Sequence, residues 1–198
     1  MSGSPDPGGA RDAGQRQRII EAAYECVRRW GIAKTTVEDA ARQAGVSRAT
    51  VYRYFPGGRD ELVGAVVSWE KLRFFARLYE EVHDSESLEE VMERGIVFAR
   101  QALVEHEVLQ RVLQTEPGLL ITKLTVDAGL VVDLVSGFLA PYLERHGLAE
   151  GVDVGEASDF LARMILSYIA SPGRYDLTDE DQVRDLVRGE LLAGIVAP

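Results

Sequence analysis

Cysteine is almost missing: Cys26 is the single thiol in 198 residues. One thiol makes no internal disulfide, so no disulfide framework is expected, and the pattern fits a reducing, cytoplasmic setting. Histidine is scarce too, at three residues. His83, His106 and His146 are far apart and lack the spacing of metal ligands. No Gly-rich phosphate loop and no nucleophile elbow appears, so neither an enzyme nor a cofactor is expected. No apolar run approaches the ~18 to 20 residues of a membrane span. The first residues are polar, unlike a signal peptide. No stretch alternates apolar and polar as a half-buried strand does, and no internal repeat is visible. These absences leave an all-α chain, long enough for one or two domains with a sizeable core.

A surplus of basic charge is also lacking. The chain carries 22 Lys and Arg against 32 Asp and Glu, a net charge of −10. That total argues against nucleic acid, but its distribution does not. Residues 1–62 hold 10 basic and 8 acidic side chains, whereas residues 63–198 hold 12 and 24. An acidic body repels DNA and leaves the N-terminal segment as the docking surface.

Within that segment no acid lies between Val46 and Phe55. The stretch Thr35 to Phe55 reads as two short helices joined by a tight turn. Thr35 is placed to cap the first, with Glu38 at the capping-box spacing. Val37, Ala40, Ala41 and Ala44 share one helical face. Gly45 ends the helix where a left-handed residue is needed. Ser47 caps the second helix, on which Val51 and Phe55 face inward. Arg48, Ala49, Thr50, Tyr52, Arg53 and Tyr54 stay outside or at the edge. A short helix, a glycine turn and a second helix with Arg, Thr and Tyr outward is the pattern of a DNA-reading helix-turn-helix.

Residues 1–14, rich in Gly, Pro and Ser, are expected to be a disordered arm. A first helix follows over 15–30, with Ile20, Ala23, Tyr24 and Val27 buried and Cys26 a packed thiol. After the helix-turn-helix, the Pro56-Gly57-Gly58 turn exposes backbone N–H groups, and with Arg59 these are candidates to hold a phosphate. Helices are expected over 59–82, 88–106, 118–145 and 154–171, with a short one at 108–113 and a last one after Thr178. Pro117 suits a first helical turn, and Pro141 is expected to bend the 118–145 helix. The chain so divides into an arm at 1–14, a DNA-binding domain at 15–62 and a helical body at 63–198, which resemblance to a known family, carried by residues 18–62, implies is a ligand-binding and dimerising domain.

Two C-terminal apolar helices are candidates to pair across a two-fold axis through Leu161, Ile165, Tyr168, Val183, Leu186, Val187 and Leu191. The same pattern equally suits closure of the chain's own core. An apolar pocket between the central helices would draw on Phe98, Leu103, Leu113, Phe138, Tyr142, Phe160 and Met164. Thr122, Thr125 and Arg100 are its candidate polar handles.

The chain resembles the TetR family of transcriptional regulators. The resemblance rests on Arg18-Ile-Ile-Glu-Ala-Ala-Tyr, Gly31, Thr35-Thr-Val-Glu-Asp-Ala-Ala, Ala44-Gly-Val-Ser-Arg-Ala-Thr-Val-Tyr-Arg-Tyr-Phe and Asp60-Glu-Leu, and it is close over residues 18–62. Beyond that only helical character matches. The resemblance implies an N-terminal three-helix DNA-binding domain and a C-terminal bundle for a ligand and for dimerisation. It implies that Thr36, Arg48, Ala49, Thr50, Tyr52 and Tyr54 contact DNA. Arg48 would reach guanine O6 and N7 and Ala49 a thymine methyl, with Thr50 and Tyr54 on phosphates and Tyr52 on either. Arg59 stands at the usual Lys position, behind a turn one residue longer than the common form. The function so implied is a ligand-released homodimeric repressor on a near-palindromic double-stranded operator, with a small hydrophobic effector. The alternative is a helical ligand-binding or protein-sequestering module that does not read DNA.

Overall fold

The computed structural model describes residues 7–108, 110 and 128–196. Among them every regular element is helical, and Leu148 and Val196 form one isolated antiparallel bridge. The helices are α1 (Pro7–Trp30), α2 (Val37–Ala44), α3 (Arg48–Tyr54), α4 (Gly58–Val82), α5 (Leu88–Glu105), α6 (Ala128–His146), α7 (Val154–Ala170) and α8 (Glu180–Leu186). A π-helical turn, Val187–Leu191, follows α8 directly. The expected helix at 108–113 and the first part of the one at 118–145 lie outside the described residues, as do Leu113, Thr122 and Thr125.

The chain divides into two compact units. The first takes the described residues up to Phe75 together with Glu107, Val108 and Gln110. Its core is Ile19, Ile20 and Ala23 of α1, Val37, Ala40 and Ala41 of α2, Val51 of α3, Phe55, and Leu62 and Val66 of α4. The boundary expected at residue 62 therefore moves into α4. Leu62 and Val66 complete the core, and Trp69 meets the Tyr24 ring edge-on at 5.4 Å. Cys26 is 1% exposed, and burial pushes its thiol up, as befits a packed core group.

The expected arm at 1–14 needs a correction, because α1 already begins at Pro7. Proline suits a first helical turn, but Gly8, Gly9 and Gly14 are poor helix formers. What holds this end is tertiary. The Arg16 guanidinium stacks 5.0 Å over the Phe55 ring, and Asp12 Oδ1 accepts a hydrogen bond from the Tyr54 hydroxyl at 2.6 Å.

The second unit takes Ala76–His106 and the described residues from Ala128 onward. Ser87, Asp153 and Asp179 cap α5, α7 and α8, each accepting backbone N–H groups of the first turn. The α6–α7 hairpin is fastened where the Ser136 hydroxyl donates to Ser158 Oγ at 2.9 Å. Ser158 is 2% exposed and passes its own proton to the Gly155 carbonyl at 3.0 Å. Arg100 of α5 donates to the carbonyl of Ile169 at 3.3 Å and so ties α5 to the end of α7.

This packing corrects the dimer assignment. Leu161, Val183, Leu186 and Val187 are 0% exposed, Leu191 1% and Ile165 8%, all within one chain. A side chain already enclosed by its own chain has no surface left for a partner. The apolar C-terminal helices close the chain's own core. Tyr168 is engaged differently. Its hydroxyl and that of Tyr175 both reach the carboxylate of Glu190 on the π-helical turn, and Arg174 joins them at 2.7 Å.

Candidate nucleic-acid interface

The helix-turn-helix is built by local chemistry. Its first cap is Thr36, one residue later than the spacing suggested. Thr36 Oγ1 accepts from the Asp39 N–H at 3.1 Å, while the Asp39 carboxylate accepts from the Thr36 N–H at 3.3 Å and from its hydroxyl at 2.6 Å. Both Thr35 and Thr36 have an acid three positions on, so spacing alone does not choose between them. Burial chooses. Thr35 is 2% exposed, and its hydroxyl donates to the Gly31 carbonyl at 2.8 Å, closing the end of α1. The hydrogen bond from Thr36, with Arg42 adding to it, holds the Asp39 carboxyl below the usual carboxylate range.

Gly45 ends α2 at φ 66° and ψ 34°, a left-handed conformation that glycine adopts without strain. Ser47 then caps α3, accepting from the Thr50 N–H at 3.0 Å. The Ser47 and Thr50 hydroxyls lie 2.8 Å apart. With Ser47 donating, the Thr50 proton is left to point outward, as a phosphate contact needs.

Val51 and Phe55, both 0% exposed, anchor α3 to the core. The opposite face carries Arg48, Ala49, Tyr52 and Arg53, all exposed. Arg48 lies over the Tyr52 ring at 5.5 Å and reaches its hydroxyl at 3.4 Å. Tyr52 in turn packs across the turn into α4. A Cβ on Gly58 would sit 3.2 Å from Tyr52 Cε1, and Gly58 has φ +69°. Glycine at 58 therefore fits both the backbone and the tyrosine ring.

Arg53 was not among the expected contacts, although the acid-free run from Val46 to Phe55 includes it. It stacks on the Tyr54 ring at 4.8 Å and donates to its hydroxyl at 3.1 Å. Tyr54 is half-buried against the core, and its own proton goes to Asp12. No sequence signal marked Asp12, because its surroundings read as a disordered tail.

The expected phosphate cradle at the start of α4 is corrected. The Gly57 N–H donates to Glu61 Oε2 at 2.7 Å and the Gly58 N–H to the Phe55 carbonyl at 2.9 Å. Arg59 points back into the fold. Its Nε donates to the Thr35 carbonyl at 2.9 Å and its Nη2 to the Ile32 carbonyl at 2.6 Å. The guanidinium closes the α1–α2 loop instead of reaching for phosphate. Thr36 is similarly occupied, since donation to a phosphate requires giving up Asp39.

The expected pocket residues spread over three helices of the second unit. Phe98, under the Arg77 guanidinium at 5.3 Å, and Leu103 lie on α5. Phe138 and Tyr142 lie on α6 with their rings 5.5 Å apart. Met164 on α7 is half-buried. Phe160 is 47% exposed and so leaves the pocket set. A groove of about 750 Å³ is lined by Arg174, Tyr175, Gln182, Asp185, Arg188, Gly189 and Glu190, and it contains none of the expected apolar residues.

A capped reading helix with Arg, Ala and Tyr outward, seated on a three-helix support, defines the class as a helix-turn-helix DNA-binding domain. Residues 19–66 match the profile of the bacterial regulatory proteins of the tetR family. Over these residues the helix-turn-helix domain is similar to that family of transcriptional regulators.

An uncharacterized HTH-type transcriptional regulator of Mycobacterium tuberculosis is 43% identical over 51 residues, 26% of this chain and 27% of that protein. The chain thus spans about a quarter of the length of the curated relatives it matches. Two solved structures share the fold over almost the whole chain. The TetR family repressor AlkX from Dietzia sp. has a TM-score of 0.61 at 18% identity, covering 92% of this chain and 98% of that one. The complex of SmeT with triclosan has a TM-score of 0.56 at 21% identity, covering 93% and 92%. Among the described residues no helix is long and apolar enough to cross a membrane, and no group of three His, Cys, Asp or Glu side chains is placed to hold a metal.

Proposed function

We propose that this chain is a cytoplasmic transcriptional repressor, a homodimer that binds a near-palindromic DNA operator and is released by a small apolar effector. The observation that carries the reading is α3 itself: it is anchored by Val51 and Phe55, with Arg48, Ala49 and Tyr52 outward and no acid along it. Arg48 is the base reader, suited to guanine O6 and N7. Ala49 meets a thymine methyl, Tyr52 lies against base or phosphate, and Thr50 and Tyr54 donate to phosphates. Arg53 adds a further cation at the same face. Arg59 and Thr36 act by shaping the support.

The dimer rests on a face different from the one first expected. Leu130 and Leu134 of α6 are 51% and 38% exposed, and Phe160 of α7 is 47% exposed. Leu130 and Leu134 stand one turn apart on α6, on a face that is open to solvent within this chain. Large apolar side chains left exposed on α6 and α7 support a two-fold, self-complementary contact. The effector site draws on Phe98, Leu103, Phe138, Tyr142 and Met164. The SmeT–triclosan complex supports a small-molecule input in a body of this fold.

Selection of duplexes from a random pool tests the reading. The wild type should enrich a near-palindrome whose half-sites are one or more turns of about 34 Å apart. Arg48→Ala should weaken binding to the selected duplex by about 1 to 3 kcal/mol and relax preference at the base it reads. Equal binding of selected and random duplexes by both proteins would refute it.

A further inference from the structure

We propose that Asp12 is a built-in restraint on DNA binding, because it holds the proton that Tyr54 needs to reach a phosphate and sets a carboxylate beside that contact. The inference rests on the regulator reading above, through the placing of Tyr54 on the DNA side of α3.

The hydroxyl of a tyrosine has one proton. In this structure it goes to Asp12 Oδ1 at 2.6 Å, while the phenol oxygen accepts from Arg53 Nη2 at 3.1 Å. A phosphate oxygen only accepts. Tyr54 therefore serves either Asp12 or the phosphate. The competitor is also a charge of the same sign as the phosphate, one hydrogen bond away and exposed to solvent.

Asp12 is not needed to position Tyr54. The ring is half-buried against the α1–α2–α3 core and covered by the Arg53 guanidinium at 4.8 Å. Two independent contacts thus fix the side chain, and the carboxylate adds occupation of the donor. The same bond tethers the glycine-bearing first turns of α1, a segment with weak helical propensity of its own. DNA that captures the Tyr54 proton thereby releases that tether as well. Asp12 thus opposes a basic surface made of Arg48 and Arg53, and its effect is to lower operator affinity below the value the reading helix would otherwise give.

The test measures binding to a duplex selected by the wild-type protein from a random pool, using full-length protein. Asp12→Ala, which removes both the acceptor and the charge, should tighten Kd by about three- to tenfold, in the range of an exposed charged contact plus a recovered charge-assisted hydrogen bond. Asp12→Asn keeps an acceptor and loses the charge, so its gain should be smaller and should fade between about 50 and 300 mM salt as screening grows. On the Tyr54→Phe background the gain from Asp12→Ala should fall at least twofold, because no hydroxyl remains to be released. Circular dichroism and melting of each variant confirm that the fold is intact.

Unchanged or weaker binding by Asp12→Ala, with wild type still selecting its site, overturns the restraint and leaves the regulator reading standing. An equal gain with and without the Tyr54 hydroxyl overturns the competition for its proton. Failure of the wild type to select any duplex defeats the regulator reading first, before any Asp12 variant is made.

Discussion

The two units reach order by different routes. In the first, individual polar atoms fix the backbone: Thr36 against Asp39, Ser47 against Thr50, Gly45 in its left-handed turn. Each element is eight residues or fewer between α1 and α4, too short to persist without its cap and its neighbours. In the second unit, longer helices bury broad apolar faces, and the polar contacts trim the arrangement instead of defining it. Where caps and turns specify structure, residue identity points to role. Where area specifies it, leucine in a core and leucine at an interface look the same along the chain.

The sharpest way to test that contrast is to compare apolar residues of the second unit that differ only in burial. Leu186→Ala removes a side chain that is 0% exposed and should destabilise the fold by about 2 to 5 kcal/mol. It should do so whatever the oligomeric state, by denaturant titration at several protein concentrations. Phe160→Glu alters a residue that is 47% exposed and should leave the fold intact while converting a dimer to a monomer by sedimentation. A soluble, folded Leu186→Ala monomer of wild-type stability would reverse the assignment of core and interface.

Arg59 sharpens the comparison inside the first unit. Its two charge-assisted hydrogen bonds to Thr35 and Ile32 carbonyls make it a structural clamp. Such bonds are worth roughly 1.5 to 3 kcal/mol each when well formed, and less at this partly exposed site. Arg59→Ala should therefore lower the unfolding free energy by about 1 to 2 kcal/mol. It should leave the salt dependence of DNA binding unchanged, because no phosphate contact is lost. A salt slope reduced by about one, with no loss of stability, would return Arg59 to the phosphate backbone.

The helix-turn-helix was legible in the sequence because its signals are local and paired. Gly45 and Ser47 stood at the positions the backbone needs, and the acid-free run marked the outward face. The errors in that half came from contacts distant along the chain. Thr35 and Thr36 had equal claims until the end of α1 arrived next to Thr35. Arg59 pointed to phosphate until the loop carbonyls 24 and 27 residues earlier were placed beside it. The glycine-rich start looked disordered because its tether, Tyr54, lies 42 residues on. In the second unit the helices were visible, but the partner of each apolar face was not. Leu186 and Leu134 both recur at helical spacing, and only packing separates them.

The smallest effect concerns the cap that separates these readings. Thr36→Ala removes the acceptor for the Asp39 N–H and the leading cause of the low Asp39 pKa. It should reduce stability by about 1 kcal/mol at neutral pH. The sign of the pH dependence follows from the direction of the shift. Asp39 is depressed in the folded chain, so its contribution is complete above the ordinary aspartate range of about 4 and is lost as pH falls through the lowered folded value. The stability gap between wild type and Thr36→Ala should therefore be constant across the neutral range, roughly pH 6 to 8, and narrow in acid below about pH 4. In the variant the Asp39 carboxyl, followed by NMR, should titrate closer to an ordinary aspartate. If DNA affinity falls sharply while stability and the Asp39 titration stay as in wild type, Thr36 is a DNA contact in its own right and the cap is incidental. A stability loss with a small change in affinity keeps it within the support that aims α3.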